Sequence, residues 1–213
     1  MKLLILDFDG TLADSRRLIV STMQETLMRL GQPVPSESEC AATIGLPLPK
    51  CFVRLTKGNH ALADVCAKLY TDELFPKNNV PGAVVPFPNV ETTLRLLHAA
   101  GFLLTIASSR KSQSVRHLLS NMGLLDLFQA IVSPAEVENA KPAPDMVMKI
   151  LSDLHIAAAD ALVVGDTAYD ILMGRDAGVR TCGVTYGNGS LQELQDAGAH
   201  FIIDDFQQLE LLL

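Results

Sequence analysis

Residues 3–12 read LLILDFDGTL, in which four apolar residues are followed by two aspartates that flank a single phenylalanine. An apolar run of this length suits a strand buried on both faces of a parallel sheet. Asp7 and Asp9 would then lie at the carboxyl end of that strand, where an Asp-Gly pair indicates a turn. Taken alone, the motif also fits a simple turn, with Asp14 or Ser15 capping the following helix.

Similar apolar runs recur along the chain and alternate with helical patterns. The predicted strands are residues 3–6, 103–107, 130–132, 161–164, 181–184 and 201–203. The predicted helices of the same unit are residues 90–99, 111–122, 143–154, 168–177 and 191–197. This alternation predicts an α/β fold with a doubly wound parallel sheet.

Almost a hundred residues separate the first strand from the second, and they show helical periodicity without a convincing strand. Helices are predicted there at residues 16–30, 47–55 and 61–75, and a Pro/Gly-rich linker at residues 76–88. We therefore expect residues 15–82 to form a small inserted α-helical cap. Residues 1–14 and 83–213 would form the catalytic core.

Polar residues also follow the second and fourth predicted strands. Ser108 and Ser109 come after the second strand, and Asp166 comes after the fourth. Ligands bind outside the carboxyl ends of the strands in an open α/β sheet, so these side chains are expected near Asp7 and Asp9. Ser108 and Asp166 also suit the capping of the helices that follow, and a capped helix N-terminus itself attracts anions.

Lys141 and Asp170 complete the set of charged residues. Lys141 precedes a proline ahead of the helix at 143–154, where a lone lysine is normally a solvated residue. Beside two carboxylates and a serine, however, one cation is what a site needs to hold the charge of a transferred phosphoryl group. Asp170 follows Asp166 by four residues, a spacing that places both on one helical face near one metal ion.

These segments together resemble the four motifs of haloacid dehalogenase superfamily phosphatases, in the same order and at compatible spacing. The motifs are Asp7-x-Asp9-Gly10-Thr11-Leu12, Ser108, Lys141-Pro142-Ala143-Pro144-Asp145 and Gly165-Asp166-Thr167-x-x-Asp170. The resemblance covers essentially the whole chain, including a helical cap inserted after the first strand. The stretch GVTYG at residues 183–187 is similar to phosphoglycolate phosphatase relatives within that superfamily.

The resemblance implies a magnesium-dependent phosphomonoester hydrolase that works through an aspartyl-phosphate intermediate. Asp7 would attack phosphorus, and Asp9 would protonate the leaving oxygen and later activate water. Mg2+ is the implied cofactor, held by carboxylate oxygens of Asp7 and Asp166 and by the main-chain carbonyl of Asp9. Asp170 would order one of its water ligands from outside.

The resemblance also implies which groups bind the transferred phosphoryl group. They are Ser108, Lys141 and the main-chain N–H groups around Phe8, Asp9 and Ser109. The cap would choose the substrate, and we expect its turn at Gly45, together with Lys50, to face the site when the cap is closed. The expected partner is a small phosphorylated metabolite such as phosphoglycolate, although no residue of the cap identifies which metabolite binds.

Other functions fit parts of the same pattern. A dehalogenase would not need Asp9, and a phosphosugar mutase would carry a histidine early in the first cap helix, where residues 16–23 contain none. A phosphonatase needs a cap lysine, for which Lys50 is the nearest candidate at a poor spacing. A pyrophosphatase of the same superfamily stays an alternative. The rival from another class is a non-enzymatic phosphoacceptor module, but such modules are much shorter and lack an inserted cap.

The composition limits which classes of binding partner and which cellular compartment are expected. The formal net charge is -7, so a surface that tracks nucleic-acid phosphates is not expected. The four cysteines lie far apart without a C-x-x-C pair, which argues against a zinc site or a disulfide framework. No apolar stretch suits a signal-peptide core or a bilayer span, so we expect no membrane partner and a cytoplasmic location.

Overall fold

A computed structural model describes residues 2–213 of the chain. Its strands are β1 (Leu3–Leu6), β2 (Ala13–Asp14), β3 (Val85–Pro86), β4 (Leu103–Ala107), β5 (Phe128–Val132), β6 (Ala161–Gly165), β7 (Arg180–Val184) and β8 (Phe201–Ile203). Six of them form one sheet in the order β5-β4-β1-β6-β7-β8, in which all neighbours are parallel. The strands β2 and β3 pair separately and are antiparallel.

Helices connect the strands. They are α1 (Arg16–Arg29), α2 (Glu37–Ala41), α3 (Leu48–Leu55), α4 (His60–Leu69), α5 (Phe75–Asn78), α6 (Val90–Ala99), α7 (Ser112–Asn121), α8 (Asp145–Leu154), α9 (Ala168–Asp176) and α10 (Leu191–Asp196). The expected doubly wound α/β fold is confirmed. Within residues 2–213, no helix combines the length and the apolar character that crossing a membrane requires.

The central strand β1 shows why the apolar runs form a sheet. Leu4 and Leu6 belong to one hydrophobic cluster and Leu3 and Ile5 to another, because successive side chains of a strand point to opposite faces. All four residues are fully buried. β1 lies between β4 and β6, where the strand order reverses direction. The loop after β1 therefore begins at the point where ligands bind in sheets of this type.

The helices α1 to α5 all lie between β2 and β3 in the chain. The β2–β3 pair joins Ala13 to Pro86 and Asp14 to Val85, so it holds together the two ends of this inserted segment. Apolar residues of α1 and α3 share one hydrophobic cluster with the core side chains of β1. The observed helices occupy the segment that we expected to form the cap, and the domain boundaries themselves stay a prediction.

Two features of the inserted segment differ from the prediction. The short helix α2 was not expected; it begins at a capping box in which Ser36 and Glu39 satisfy each other's main-chain N–H groups. The single helix predicted at residues 61–75 is divided into α4, a π-helical turn and α5. Pro76 lies in the first turn of α5 and has no N–H to continue the preceding hydrogen-bond ladder, which explains the break.

Candidate active site

Asp7 follows β1 directly, and its side chain enters a buried cluster of charged groups. The ammonium of Lys141 lies 2.5 Å from Oδ1 of Asp7 and 2.5 Å from Oδ1 of Asp170, and the Lys141 side chain is 0% exposed. Carboxylate oxygens of Asp7, Asp166 and Asp170 all lie within 4.8 Å of one another. The carboxyl ends of β1 and β6 and the loop before α8 thus bring four predicted site residues together.

The charges in this cluster do not balance. Three buried carboxylates surround one ammonium, and the pKa of Asp7 is raised well above its usual range because burial outweighs the opposing effect of Lys141. Burial, with a contribution from the neighbouring Asp170, raises the pKa of Asp166 to about 7. The pKa of Lys141 is also raised, since its two carboxylate partners outweigh the opposing effect of burial. When all three carboxylates are ionised, their negative charge exceeds the positive charge of the single ammonium, and a divalent cation would offset that excess.

The donor set around Asp166 fits a hard divalent cation. Oδ1 of Asp166 accepts from the hydroxyl of Thr11 (3.1 Å), and Oδ2 accepts from the main-chain N–H (2.7 Å) and the side-chain amide (3.0 Å) of Asn188. The same amide lies 3.4 Å from the main-chain carbonyl oxygen of Asp9, the expected third ligand. Oδ1 of Asn188 is buried without a hydrogen-bond partner among the described residues. Carboxylates and carbonyls are the ligands that a hard cation prefers.

Asn188 contacts Asp166 and the Asp9 carbonyl, and the sequence analysis did not identify it as a site residue. The glycines on either side explain how it reaches the site. A Cβ atom at Gly187 would overlap the Asp166 side chain, and one at Gly189 would overlap the Asp166 main chain. Only glycine lets this loop approach so closely, and the Gly-Asn-Gly pattern was the signal for it.

We expect Asn188→Ala to raise the Mg2+ concentration needed for half-maximal activity by about 10- to 100-fold, the usual effect of losing a residue that orients metal ligands. The measurement is activity against Mg2+ concentration at fixed substrate. Asn121→Ala is the matched control, because Asn121 is an exposed asparagine on α7 whose amide contacts His117. An unchanged Mg2+ requirement in Asn188→Ala would contradict this role.

Asp170 approaches the site differently from the way its spacing predicted. Helix α9 begins at Ala168 with Thr167 as its N-cap, so Asp166 lies before the helix and the two aspartates do not share a helical face. Oδ2 of Asp170 instead accepts from the N–H (3.0 Å) and hydroxyl (2.7 Å) of Thr167 in a capping box. A Cβ atom at Gly165 would overlap the Asp170 side chain, so a glycine at the end of β6 permits this approach.

Ser108 lies at the end of β4 and is 1% exposed. Its hydroxyl oxygen accepts from the N–H of Arg110 (3.2 Å), which leaves its own O–H free to donate. It does not cap the following helix, since α7 begins at Ser112 with Lys111 as the N-cap. Capping therefore does not account for this buried hydroxyl.

Three main-chain N–H groups around Asp7 lack an acceptor among residues 2–213. They are those of Phe8, Asp9 and Ser109. Phe8 is fully buried, and a buried N–H without an acceptor is rare in folded proteins. These are the N–H groups that the sequence analysis expected to hold a phosphoryl group.

The carboxylate of Asp9 does not belong to the cluster of Asp7, Asp166 and Asp170 and is bound by Arg110. The guanidinium makes a two-pronged ion pair, with Nε 2.8 Å from Oδ2 and Nη2 2.8 Å from Oδ1. The hydroxyl of Ser15 donates to the same Oδ1 at 2.6 Å. Arg110 was not among the predicted site residues; it lies between Ser109 and the helix predicted at residues 111–122. Its position two residues after Ser108 was the available signal.

The turn at Gly45 contacts the core beside the site. Its carbonyl oxygen accepts from the hydroxyl of Ser109 (2.6 Å), so the Ser109 side chain binds the inserted segment and only its N–H is available to an anion. Gly45 has a φ of +102°, and a Cβ atom there would come within 3.0 Å of Tyr169 and 3.2 Å of Thr167. A side chain would therefore push this turn away from the N-terminus of α9.

Lys50 has an exposed side chain on α3. It lines a cleft of about 710 Å³ between the inserted segment and the loop that carries Lys141, together with Asn139 and Pro142. It makes no ion pair among the described residues. The structure thus places Lys50 at the rim, and its effect on substrates stays a prediction.

Lys50→Ala should change the relative rates with different substrates by a few-fold, and should change hydrolysis of p-nitrophenyl phosphate less, because a rim charge acts mainly on encounter with larger anionic substrates. The measurement is kcat/KM across a panel of phosphate esters. Lys68→Ala serves as the control, since Lys68 is an exposed lysine on α4 paired with Asp72 and does not line the cleft. Equal losses on every substrate would instead place Lys50 in the shared chemistry.

The amino-acid sequence is similar to a family model and to several proteins with assigned names. A family model described as haloacid dehalogenase-like hydrolase matches residues 4–184. The chain is 34% identical to "Probable phosphatase IndB" of Dickeya dadantii, over 97% of this chain and 91% of that protein. It is 28% identical to phosphoglycolate phosphatase of Vibrio cholerae, over 98% of this chain and 95% of that protein. It is 30% identical to pyrophosphatase PpaX of Halalkalibacterium halodurans, over 85% of this chain and 82% of that protein.

The fold has close structural neighbours. A crystal structure described as a predicted phosphatase from Clostridium acetobutylicum is similar with a TM-score of 0.89 at 27% sequence identity. The similarity covers 99% of this chain and 98% of that chain. It therefore extends over the parallel sheet and the inserted helices alike.

Proposed function

Because the chain belongs to the haloacid dehalogenase-like hydrolase family, we propose that it hydrolyses phosphomonoesters with magnesium through an aspartyl phosphate formed on Asp7. The protein is an enzyme of the phosphatase type, as the motifs of the sequence indicated. The observation that carries the proposal is the position of Asp7. It lies at the end of the central strand beside Lys141, Asp166 and Asp170, with N–H groups that lack acceptors around it.

Asp7 suits the role of nucleophile. Its Oδ1 is held by Lys141, whereas its Oδ2 accepts no hydrogen bond from the residues that the structure describes. An oxygen without a donor keeps its lone pairs available for attack on phosphorus. Attack there would form a phosphoryl–enzyme bond and release the leaving oxygen, so that one difficult displacement becomes two easier ones.

Asp9 suits the role of acid and base because it lies two residues from the nucleophile and directly before the turn at Gly10. Gly10 has a φ of +96°, and a Cβ atom there would overlap Asp166 and Asn188. We propose that Asp9 gives a proton to the leaving oxygen and takes one from the water that cleaves the aspartyl phosphate.

The phosphoryl oxygens would be held by donors from three loops. The free O–H of Ser108 and the unpaired N–H groups of Phe8 and Ser109 are neutral donors, and Lys141 adds a positive charge. Such preorganised donors typically contribute about 2.7 to 4 kcal/mol each to transition-state stabilisation. Asp7, the Asp9 carbonyl and Asp166 would hold Mg2+, with Asp170 outside. When bound, Mg2+ supplies positive charge that offsets the repulsion between the nucleophile and an anionic substrate.

We propose a small phosphorylated metabolite as the substrate, with phosphoglycolate as the first candidate. A relative named phosphoglycolate phosphatase is similar to this protein over 98% of the chain. Pyrophosphate is the second candidate, favoured by the similarity to a pyrophosphatase. The four free cysteines are all buried, which is consistent with the cytoplasmic location that we propose.

A turnover screen with purified protein and a panel of phosphomonoesters tests the function. We expect hydrolysis that requires Mg2+, that Ca2+ supports poorly because of its looser coordination, and that leaves acid-stable phosphate on the protein only transiently. Undiminished activity after exhaustive chelation would contradict the role of the metal. Failure to hydrolyse any ester of the panel would contradict the proposed reaction.

A further inference from the structure

Arg110 lies where three parts of the protein meet. Its main-chain N–H donates to Ser108, and its guanidinium binds Asp9 in the loop after β1. The guanidinium also lies 4.6 Å from the ring centroid of Phe75, which belongs to the inserted segment. The side chain is only 10% exposed. A cation is thus held where the loop after β1, the loop after β4 and the inserted segment meet.

The guanidinium of Arg110 has more N–H groups than its observed partners accept from. Nε–H and one N–H of Nη2 are used by Asp9, and one N–H of Nη1 lies 3.3 Å from the hydroxyl of Ser114. A guanidinium has five N–H groups, so each Nη atom keeps one N–H without a partner among the described residues. Phe75 covers a face of the group, which leaves its edge for a further acceptor. A planar edge with paired N–H groups matches the geometry of a carboxylate or phosphate.

The inference about Arg110 rests on the proposed function, because that function determines where the leaving group lies relative to this edge. If Asp9 protonates the leaving oxygen, that oxygen lies within hydrogen-bond distance of the Asp9 carboxylate. Arg110 touches the same carboxylate at 2.8 Å. A substituent on the carbon next to the leaving oxygen, or the distal phosphate of a diphosphate, then lies within reach of the guanidinium.

We infer that Arg110 binds a second anionic group, a carboxylate or a phosphate, on the leaving portion of the substrate. The residue would make the enzyme prefer phosphate compounds that carry such a group over equally small compounds that do not. A second anion near Asp9 would meet repulsion from that carboxylate, and Arg110 is the cation that offsets it. Substrate choice would then be made in part by a core loop and not by the inserted segment alone.

The test uses two esters that differ only in this group, 2-phosphoglycolate and 2-hydroxyethyl phosphate, with pyrophosphate to distinguish a phosphate from a carboxylate. The wild-type protein should prefer 2-phosphoglycolate, pyrophosphate or both over 2-hydroxyethyl phosphate in kcat/KM. Arg110→Gln should reduce that preference by about 30-fold or more, because it leaves a desolvated anion without its partner. Arg110→Lys should restore part of it, since the charge returns without the two-pronged geometry.

Arg116→Gln is the matched control, because Arg116 is an exposed arginine six residues further on, on α7. Equal losses on all three compounds in Arg110→Gln would overturn the inference and show that Arg110 acts only through Asp9. Absence of any preference in the wild-type protein would overturn it without any variant, even if Arg110→Gln does not fold. Hydrolysis of 2-hydroxyethyl phosphate as fast as the anionic compounds would leave the proposed phosphatase function intact, whereas no hydrolysis of any phosphate ester would contradict both.

Discussion

Asp7→Asn should abolish turnover with every phosphate ester, whatever its leaving group. An amide cannot form the aspartyl phosphate, and it is a poor ligand for magnesium. Loss of the nucleophile in other covalent enzymes lowers kcat by about 10⁶-fold, and we expect a loss of that order. The measurements are steady-state hydrolysis and rapid-quench trapping of the phosphorylated protein, which should also disappear.

The fold should survive this substitution. Burial raises the pKa of Asp7, which means that the site penalises a charged group at this position, so a neutral amide of nearly the same shape should not lower the Tm. Lys141 also keeps Asp170 as a partner. Asp14→Asn is the control, since Asp14 is exposed and lies in β2, directly before the inserted segment. Turnover above about 1% of wild type with any ester would show that another group can act as the nucleophile.

The sheet could be predicted from the sequence because its signals are local. Leu3 to Leu6 form a run too short for a core helix, and such runs alternate with longer helical patterns. Each of the six predicted strands lies within an observed strand of the sheet. The β2–β3 pair was not predicted, because two-residue strands carry no periodicity and Pro86 is unusual in a ladder.

The residues that end the strands could be predicted for a related reason. In a parallel sheet the carboxyl ends of adjacent strands meet at one edge, so Asp7, Ser108 and Asp166 come close wherever their loops go. Arg110 and Asn188 could not be predicted in this way. Their side chains reach the site only because of the paths that their loops follow. Those paths depend on tertiary contacts such as the close approach of Gly187 to Asp166.

Substitution of Asp9 should have a different effect from substitution of Asp7, because the two residues have different proposed roles. Asp9→Asn keeps the main-chain carbonyl that we propose as a metal contact, so metal binding should largely persist. Proton transfer should be lost, which usually costs about 10²- to 10⁴-fold in rate. The loss should be larger for alkyl phosphates than for p-nitrophenyl phosphate, because p-nitrophenolate leaves without a proton. Aspartyl phosphate should then accumulate, since its hydrolysis still needs a base.

The contacts of Asp9 require a control that separates proton transfer from the loss of a hydrogen-bond network. Arg110 and Ser15 donate to both oxygens of the carboxylate, and an amide at this position would direct an N–H at one of these donors. Ser15→Ala removes one of these hydrogen bonds and keeps the carboxylate, so it should cost far less than Asp9→Asn and leave the sensitivity to the leaving group unchanged.

The decisive measurement is the slope of log(kcat/KM) against leaving-group pKa in the parent protein, Ser15→Ala and Asp9→Asn. A group that protonates the leaving oxygen in the transition state makes the rate less sensitive to leaving-group pKa, and its removal makes the slope steeper. We expect this steepening in Asp9→Asn alone. If the slope in Asp9→Asn equals that of the parent protein, Asp9 does not deliver the proton, and its ion pair with Arg110 would then be its main contribution to the site.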